Sequence, residues 1–167
     1  CETLRPTAPN HNAKIMMHQT QRLVSIVDDL PKFRPNQEPL QVLFLVMCAE
    51  NLAKLHDGFG SEGKSRYYVQ RFFDKFLPKA DKDVLACGFE DCSSHGLRPI
   101  GFSKAVDLLY QIRCDVVHEG NYSFFAFHDG NMGMVNANPN VTAEIQLVQV
   151  RDIVVRGCIC AIRHKLS

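Results

Sequence analysis

The stretch from Leu40 to Leu55 is apolar on nearly every side when it is drawn as a helix. Pro39 stands at a suitable first position, and Gly58 and Gly60 follow the end. A helix with apolar residues all round is stable only when other elements surround it, because no side of it favours water. The sequence therefore predicts a bundle with this helix at its centre.

Four other segments carry apolar residues at helical spacing, about Ile15 to Leu30, Lys64 to Leu77, Phe102 to His118, and Leu147 to Leu166. Pro31 is expected to stop the first of them, because proline lacks the amide that a helix interior needs. Ser103 is a candidate N-cap for the helix from Phe102, and Gly120 is a plausible terminator of it.

The remaining segments predict little regular structure. Pro78 to Pro99 is expected to be irregular apart from one short helix around Asp83 to Cys87. Asp129-Gly130-Asn131 predicts a hairpin turn between two short apolar runs, Tyr122 to His128 and Met132 to Val135, and Val141 to Gln146 is a candidate third strand. The predicted class is mainly α, with about five helices in a bundle and a small β-hairpin inserted before the last helix.

Composition limits the classes of protein that this chain can belong to. Its 167 residues, 46% of them hydrophobic, are enough for one core, so residues 1–167 are expected to form one domain with a flexible start at 1–10. The formal net charge of +1 provides no overall positive field, so a nucleic-acid site would have to be a local patch.

The seven cysteines are an odd number, and several lie in apolar helical patterns, which favours a reducing, cytoplasmic location. No apolar run reaches the roughly 18 residues of a membrane span, and no membrane partner is expected.

The helix from Phe102 to His118 has two distinct faces at about 100° per residue. One face is apolar and is expected to meet the core; its residues are Ala105, Leu108, Leu109, Ile112 and Val116. The opposite side carries Arg113, Tyr110, Cys114, Asp107, Val117 and His118. Together with Val106, the apolar residues Tyr110 and Val117 predict that this side packs against a partner, with the Arg and the His at its edges.

The segment Leu109-Tyr110-Gln111-Ile112-Arg113-Cys114-Asp115-Val116-Val117-His118-Glu119-Gly120 resembles the late-helix motif of HEPN domains, in which an Arg is followed at short distance by a His. More loosely, the resemblance includes the apolar helix with Glu50 near its end. It implies a helical bundle that dimerises through the motif helix and, in the ribonuclease members, cleavage of RNA without a metal or another cofactor. The implied partners are RNA or a nucleotide, a second copy of the chain, and an antitoxin-type protein.

By that resemblance, His118 would act as general base or acid, a task that suits a group titrating near neutral pH. Arg113 would hold the phosphate, since a guanidinium can grip two of its oxygens. Tyr110, Cys114, Asp115 and Glu50 are the candidate supporting or substrate-binding residues. Glu50 has two interpretations, an ion pair that orients Arg113 or a solvated position at a helix end.

Three alternatives stay open. Catalytic HEPN members have Asn, Asp or His where this chain has Cys114, which favours a non-catalytic module that binds a nucleotide, RNA or a protein. Asp115 lies near 200° on the helical wheel and does not replace that polar group. A purely structural helical dimer is the second alternative. Cys87, Cys92 and His95 have spacing for three zinc ligands, but a structural site needs a fourth, so no metal is expected.

Overall fold

The computed structural model describes residues 8–33, 37–58, 63–93, 96–120, 127, 133–134 and 140–167. Within them the chain forms the helices α1 (Ala8–Phe33), α2 (Glu38–Asp57), α3 (Ser65–Phe76), α4 (Lys79–Cys87), α5 (Phe102–Glu119) and α6 (Leu147–Leu166). The strands are β1 (Phe89–Asp91), β2 (Arg98–Pro99), β3 (Gly133–Met134) and β4 (Val141–Ala143). The prediction of a mainly α class with a small β element is confirmed. No described helix has the length and apolar character needed to cross a membrane.

The central position predicted for α2 is confirmed. This helix packs against α1, α3, α5 and α6, and most of its circumference is buried. Pro39 lies in its first turn, and the helix ends at Gly58, whose φ of 83° is the left-handed conformation that favours glycine. The buried side chains of α2 and α6 include Cys48 and Cys158, free thiols with their sulfurs 3.7 Å apart.

The predicted stop of α1 at Pro31 is wrong, because the helix continues through that residue to Phe33. A proline in a helix leaves the carbonyl four residues earlier without its usual donor. That carbonyl belongs to Val27, and it accepts a hydrogen bond of 3.0 Å from the Gln41 side chain of α2 instead. At its other end α1 begins at Ala8, inside the ten residues expected to be flexible, while residues 1–7 lie outside the described part.

The segment from Pro78 to Pro99 is more regular than predicted. The helix α4 begins at Lys79, directly after Pro78, rather than near Asp83. Two strands follow that the sequence did not predict. They belong to an antiparallel sheet of order β2-β1-β4-β3, in which Phe89 pairs with Ala143 and Asp91 with Val141.

The predicted hairpin turn Asp129-Gly130-Asn131 lies outside the described residues, as does most of the run from Tyr122 to His128. Of the hairpin's second run, Gly133–Met134 forms β3 and pairs with β4. The candidate third strand is confirmed only in its first half, since β4 ends at Ala143.

The helix α5 presents its predicted apolar face to the core, where Ala105, Leu108, Leu109, Ile112 and Val116 are buried. Two details differ from the prediction. Gly101 rather than Ser103 is the N-cap residue, and no side chain caps this end. Val106, assigned to the partner-binding side, is buried within the chain's own core. The predicted end is confirmed at Gly120, which has a φ of 62°.

Candidate active site

The side chain of Arg113 points from α5 toward α2, where it meets the carboxylate of Glu50. Its Nη2 atom lies 3.8 Å from Glu50 Oε2, and the two side chains are only 18% and 7% exposed. Of the two interpretations of Glu50, the ion pair with Arg113 is therefore the one the structure contains. Arg113 does not face solvent as the helical wheel indicated, because its side chain reaches Glu50 on α2.

Glu50 also binds two groups that were not among the candidate site residues. Lys54 Nζ lies 2.5 Å from Oε1, and the Ser65 hydroxyl donates to the same oxygen at 2.7 Å. Burying a carboxylate is costly unless cations and hydrogen bonds compensate, and this one has both. Lys54 was visible in the sequence as an i,i+4 partner of Glu50 on one helix. Ser65 had no sequence signal, because it comes from the start of α3.

The guanidinium of Arg113 has unused hydrogen-bonding capacity. The separation of 3.8 Å from Glu50 supports an ion pair but is too long for a hydrogen bond. Its Nε atom is buried and has no hydrogen-bond partner among the described residues. Two cations, Arg113 and Lys54, surround one carboxylate, so this cluster carries an excess of positive charge. The arrangement can accept an anion such as a phosphate.

Tyr110 forms one wall of the cluster. The Arg113 guanidinium carbon lies 5.8 Å from the centroid of the tyrosine ring, within the range of a cation–π contact. Burial raises the pKa of Tyr110, and a hydrogen bond with the Cys114 thiol raises it further. The phenol therefore stays protonated at neutral pH. Cys114 is thus a neighbour of the Tyr110 phenol.

His118 lies apart from this cluster. It is exposed in the last turn of α5, just before the helix ends at Gly120, and no hydrogen bond or ion pair joins it to Arg113 within the described part of the chain. His118 follows Arg113 by five positions, which places the two about 140° apart around the helix, so they flank the face between them. Asp115 points elsewhere and accepts a hydrogen bond of 2.7 Å from Gln111.

Comparison with protein-family models, with curated proteins and with solved structures found no match to this chain. The resemblance to HEPN domains therefore rests on the residues of α5 and on Glu50.

Next to Tyr110, a groove of about 350 Å³ lies between α5 and the strand residues Asp91 and Val141, with Arg66 of α3 at its edge. An ion pair contributes to its lining, since Asp107 accepts hydrogen bonds from Arg66 at 2.8 and 3.1 Å and also from Gln70 at 2.7 Å. These bonds hold the pKa of Asp107 below its usual range, chiefly through Arg66. The groove also contains Lys104. Arg66 and Gln70 were missed at the sequence level because nothing in α3 alone indicates which helix it faces.

No group of three or more metal-binding side chains occurs within the described residues. Cys87 and Cys92 are exposed free thiols, and His95, the third residue of the zinc alternative, lies outside the described part. The described residues therefore form a cluster of Arg113, Lys54 and Glu50 with an excess of positive charge, and His118 lies apart from it on the same helix.

Proposed function

We propose that this chain is a HEPN-type endoribonuclease, of an RNA-processing or toxin-like kind, that cleaves RNA without a metal. Arg113 binds the scissile phosphate, and His118 transfers protons. The observation that carries the proposal is the position of Arg113, which is held in place by Glu50 and Tyr110 with Lys54 as a second cation on the same carboxylate. A preorganised cation is what phosphoryl chemistry needs to stabilise developing charge.

The reaction that fits these groups is attack of the ribose 2′-hydroxyl on the adjacent phosphorus. The 2′ oxygen forms a new bond to phosphorus, and the bond to the 5′ oxygen of the next nucleotide breaks. A base removes the 2′-hydroxyl proton and an acid protonates the leaving oxygen, so the products are a 2′,3′-cyclic phosphate and a 5′-hydroxyl. His118 is suited to either role because imidazole exchanges protons near neutral pH.

One chain offers one His118, whereas the reaction uses both a base and an acid. Two copies that face each other through α5 would supply a second histidine and a second Arg113 at one cleft. Val117, 49% exposed, and the partly exposed Tyr110 are the apolar residues available for that contact. A homodimer with a shared cleft is therefore part of the proposal, and an antitoxin-type protein would inhibit by covering the same face.

The decisive experiment compares cleavage of a single-stranded RNA by the wild-type chain and two variants. His118→Ala should lower the cleavage rate by roughly 10²–10⁴-fold, the range for loss of general acid-base catalysis. Arg113→Lys should also be poorly active, because a lysine keeps the charge near Glu50 but not the bidentate geometry. The matched controls are His18→Ala and Arg22→Lys, which change the same residue types at exposed positions of α1 and should leave the rate unchanged.

Two further readouts separate this chemistry from others. A chelator should leave cleavage intact, and the new ends should be a cyclic phosphate and a 5′-hydroxyl. Activity that is lost on chelation and restored by a divalent ion would contradict the proposal. Equal loss of activity in the control variants would also contradict it, since the effect would then not belong to α5.

The second candidate function is a non-catalytic HEPN-like module that binds a nucleotide or RNA through the same cluster. Cys114 favours it, because the position that is polar in catalytic members is here occupied by a thiol. A wild-type chain that binds RNA without cleaving it, and loses that binding in Arg113→Ala, would establish this alternative instead.

A further inference from the structure

A cavity of about 560 Å³ lies between α3 and the first turns of α5. Its size is within the range of roughly 300–1,000 Å³ that is typical of ligand sites in proteins. Each helix contributes an aromatic ring to the lining, Tyr67 from α3 and Phe102 from the start of α5, and Tyr67 is 51% exposed. The buried Val106 adds to the apolar part of the lining. A cavity of this kind is suited to a flat, unsaturated ring of a ligand.

The polar groups of the lining have free hydrogen-bonding capacity. The Gln70 amide donates to Asp107, but its oxygen accepts no hydrogen bond within the described part of the chain. Ser103 is exposed, and its hydroxyl has no partner there either. An amide oxygen accepts from an amino group, and a hydroxyl both donates and accepts. Both groups can therefore bind the edge of a nucleobase.

The charge of the cavity favours an anion. Its lining has two cations, Arg71 and Lys75, and one acid, Asp74. Asp74 is paired with Lys82 at 3.1 Å, which neutralises the acid. Arg71 binds Asp57, whereas Lys75 has no ion pair within the described residues and lies 5.3 Å from the centroid of the neighbouring Phe76 ring. Lys75 is therefore a cation that a phosphate can use.

The cavity and the candidate active site share one face of α5. Val106 and Arg113 lie about 20° apart around this helix and seven positions apart along it, which is about 10 Å. Tyr110, which contacts Arg113, comes between them. The helix α3, which forms the other side of the cavity, begins at Ser65, and Ser65 binds Glu50 beside Arg113. A strand of nucleic acid that has one phosphate at Arg113 can therefore place another of its nucleotides in the cavity.

We propose that this cavity binds one nucleotide of a single-stranded RNA substrate, outside the two nucleosides that flank the cleaved bond. The base stacks on Tyr67, with Phe102 as the second aromatic residue, and Lys75 binds the phosphate. The inference rests on the proposed function, because it concerns the same substrate, but it involves none of the residues assigned to catalysis. Stacking gives affinity with little sequence preference, since every base has a π-face.

The first experiment measures binding alone, by fluorescence anisotropy of an RNA oligonucleotide whose riboses all carry 2′-O-methyl groups. Such an RNA stays uncleaved, because it has no 2′-hydroxyl to attack phosphorus. Tyr67→Ala should raise the dissociation constant roughly 5- to 150-fold, which corresponds to the loss of one stacked base. Tyr67→Phe keeps the ring and should bind nearly as well as the wild type. Lys75→Gln should reduce the dependence of log affinity on log salt concentration by about 0.7.

Two exposed residues of α1 provide matched controls. Phe33→Ala removes an aromatic ring from a residue that is 79% exposed, and Lys14→Gln removes an exposed cation; neither residue lines the cavity. Both variants should bind RNA as the wild type does, and thermal unfolding should show that every variant folds. Adenosine monophosphate should bind much more weakly than the RNA, because it occupies the cavity without reaching Arg113.

The second experiment separates this inference from the proposed function. With a cleavable RNA, Tyr67→Ala should raise KM and leave kcat close to the wild-type value, because Tyr67 does not touch the reacting atoms. A dinucleotide contains only the two nucleosides that flank the cleaved bond, so Tyr67→Ala and the wild type should cleave it at the same rate.

An unchanged dissociation constant and KM in Tyr67→Ala would overturn the inference, while cleavage that depends on Arg113 and His118 would leave the proposed function in place. If RNA binding depends on Tyr67 but no RNA is cleaved, the cavity remains an RNA-binding site and only the endoribonuclease is overturned. A wild-type chain that binds no RNA, or that binds adenosine monophosphate as tightly as RNA, overturns the inference.

Discussion

The carboxylate of Glu50 affects both the position and the net charge of the Arg113 site. It fixes the guanidinium beside the ring of Tyr110, yet it also neutralises part of the charge that would attract a phosphate. Lys54 offsets this, because it binds the same carboxylate and leaves the cluster with more positive than negative groups. The site is therefore better suited to orienting one phosphate than to attracting a long polyanion from a distance. The near-neutral charge of the whole chain agrees with that view.

A second titratable cluster joins the C-terminal ends of α2 and α6. His56 Nδ1 lies 3.0 Å from Asp57 Oδ1, and His56 Nε2 lies 3.0 Å from His164 Nδ1. A carboxylate only accepts, so Nδ1 of His56 donates to Asp57. Burial lowers the pKa of His56, Lys75 and His164 add to the effect, and Asp57 opposes it.

This arrangement predicts that the chain loses stability in mild acid. Because the pKa of His56 is lower in the folded than in the unfolded state, the unfolded chain binds its proton first as pH falls. The free energy of unfolding should be constant well above the ordinary histidine pKa of about 6.5 and decrease as pH falls through that value. Urea midpoints measured across this range should show the decrease.

His56→Gln should flatten that pH dependence, because the variant has no imidazole to protonate. His18→Ala is the control, since His18 is exposed on α1 and should leave the slope as it is in the wild type. A slope that His56→Gln does not change would assign the acid sensitivity to other groups.

At Gly157, α6 packs tightly against Phe72 of α3 and against Leu77, which directly follows α3. A Cβ atom at this position would lie 2.8 Å from Leu77 Cδ1 and 2.8 Å from Phe72 Cζ, closer than real contacts allow. Gly157→Ala should therefore destabilise the chain, since overpacking costs about 1–3 kcal/mol while the gain in helix propensity is only about 1 kcal/mol.

Thermal unfolding should show a lower melting temperature for Gly157→Ala. The control is Ser25→Ala, an exposed position of α1 where alanine gains propensity without a clash. It should melt at the wild-type temperature or slightly above it. A rise in the melting temperature of Gly157→Ala would mean that Phe72 can move aside at little cost.

Helices could be predicted well because their signal is local. The bounds predicted for the last helix, Leu147 to Leu166, are those of α6. The strands β1 and β2 could not be predicted, because they have three and two residues and β1 pairs with β4, about fifty residues later. The passage of α1 through Pro31 likewise depends on Gln41 of another helix. Where residues distant in the sequence supply the hydrogen bonds, the local sequence pattern does not predict the structure.

In the candidate site too, the residues of one local motif could be predicted, whereas contacts between helices could not. Arg113 and His118 stand out because their spacing and their position on a helix are visible in one stretch of sequence. Ser65 comes to Glu50 from a different helix, and no pattern within α3 indicates that contact. The inward direction of the Arg113 side chain was also not predicted, since a helical wheel gives the direction of Cβ and not that of the end of a long side chain.

At the scale of the whole molecule, the outer helices are joined by two-pronged ion pairs between arginine and aspartate. Each connects a different pair of helices: Arg151 with Asp28, Arg156 with Asp81, and Arg66 with Asp107. The pairs of Arg151 with Asp28 and of Arg66 with Asp107 are exposed and add little to stability, because water and salt screen them. Their contribution is to the relative orientation of the helices, while the free energy of folding comes from the buried core.

The central position of α2 affects how the native state unfolds locally. Four helices cover this one, so its amides can meet water only when several interfaces separate together. Mass spectrometry of deuterium uptake should find the peptide from Val42 to Ala53 the last to exchange, and earlier uptake there than in α1 or α5 would contradict this. The protection of α2 then measures the cooperativity of the whole domain, whereas frayed helix ends measure only local fluctuations.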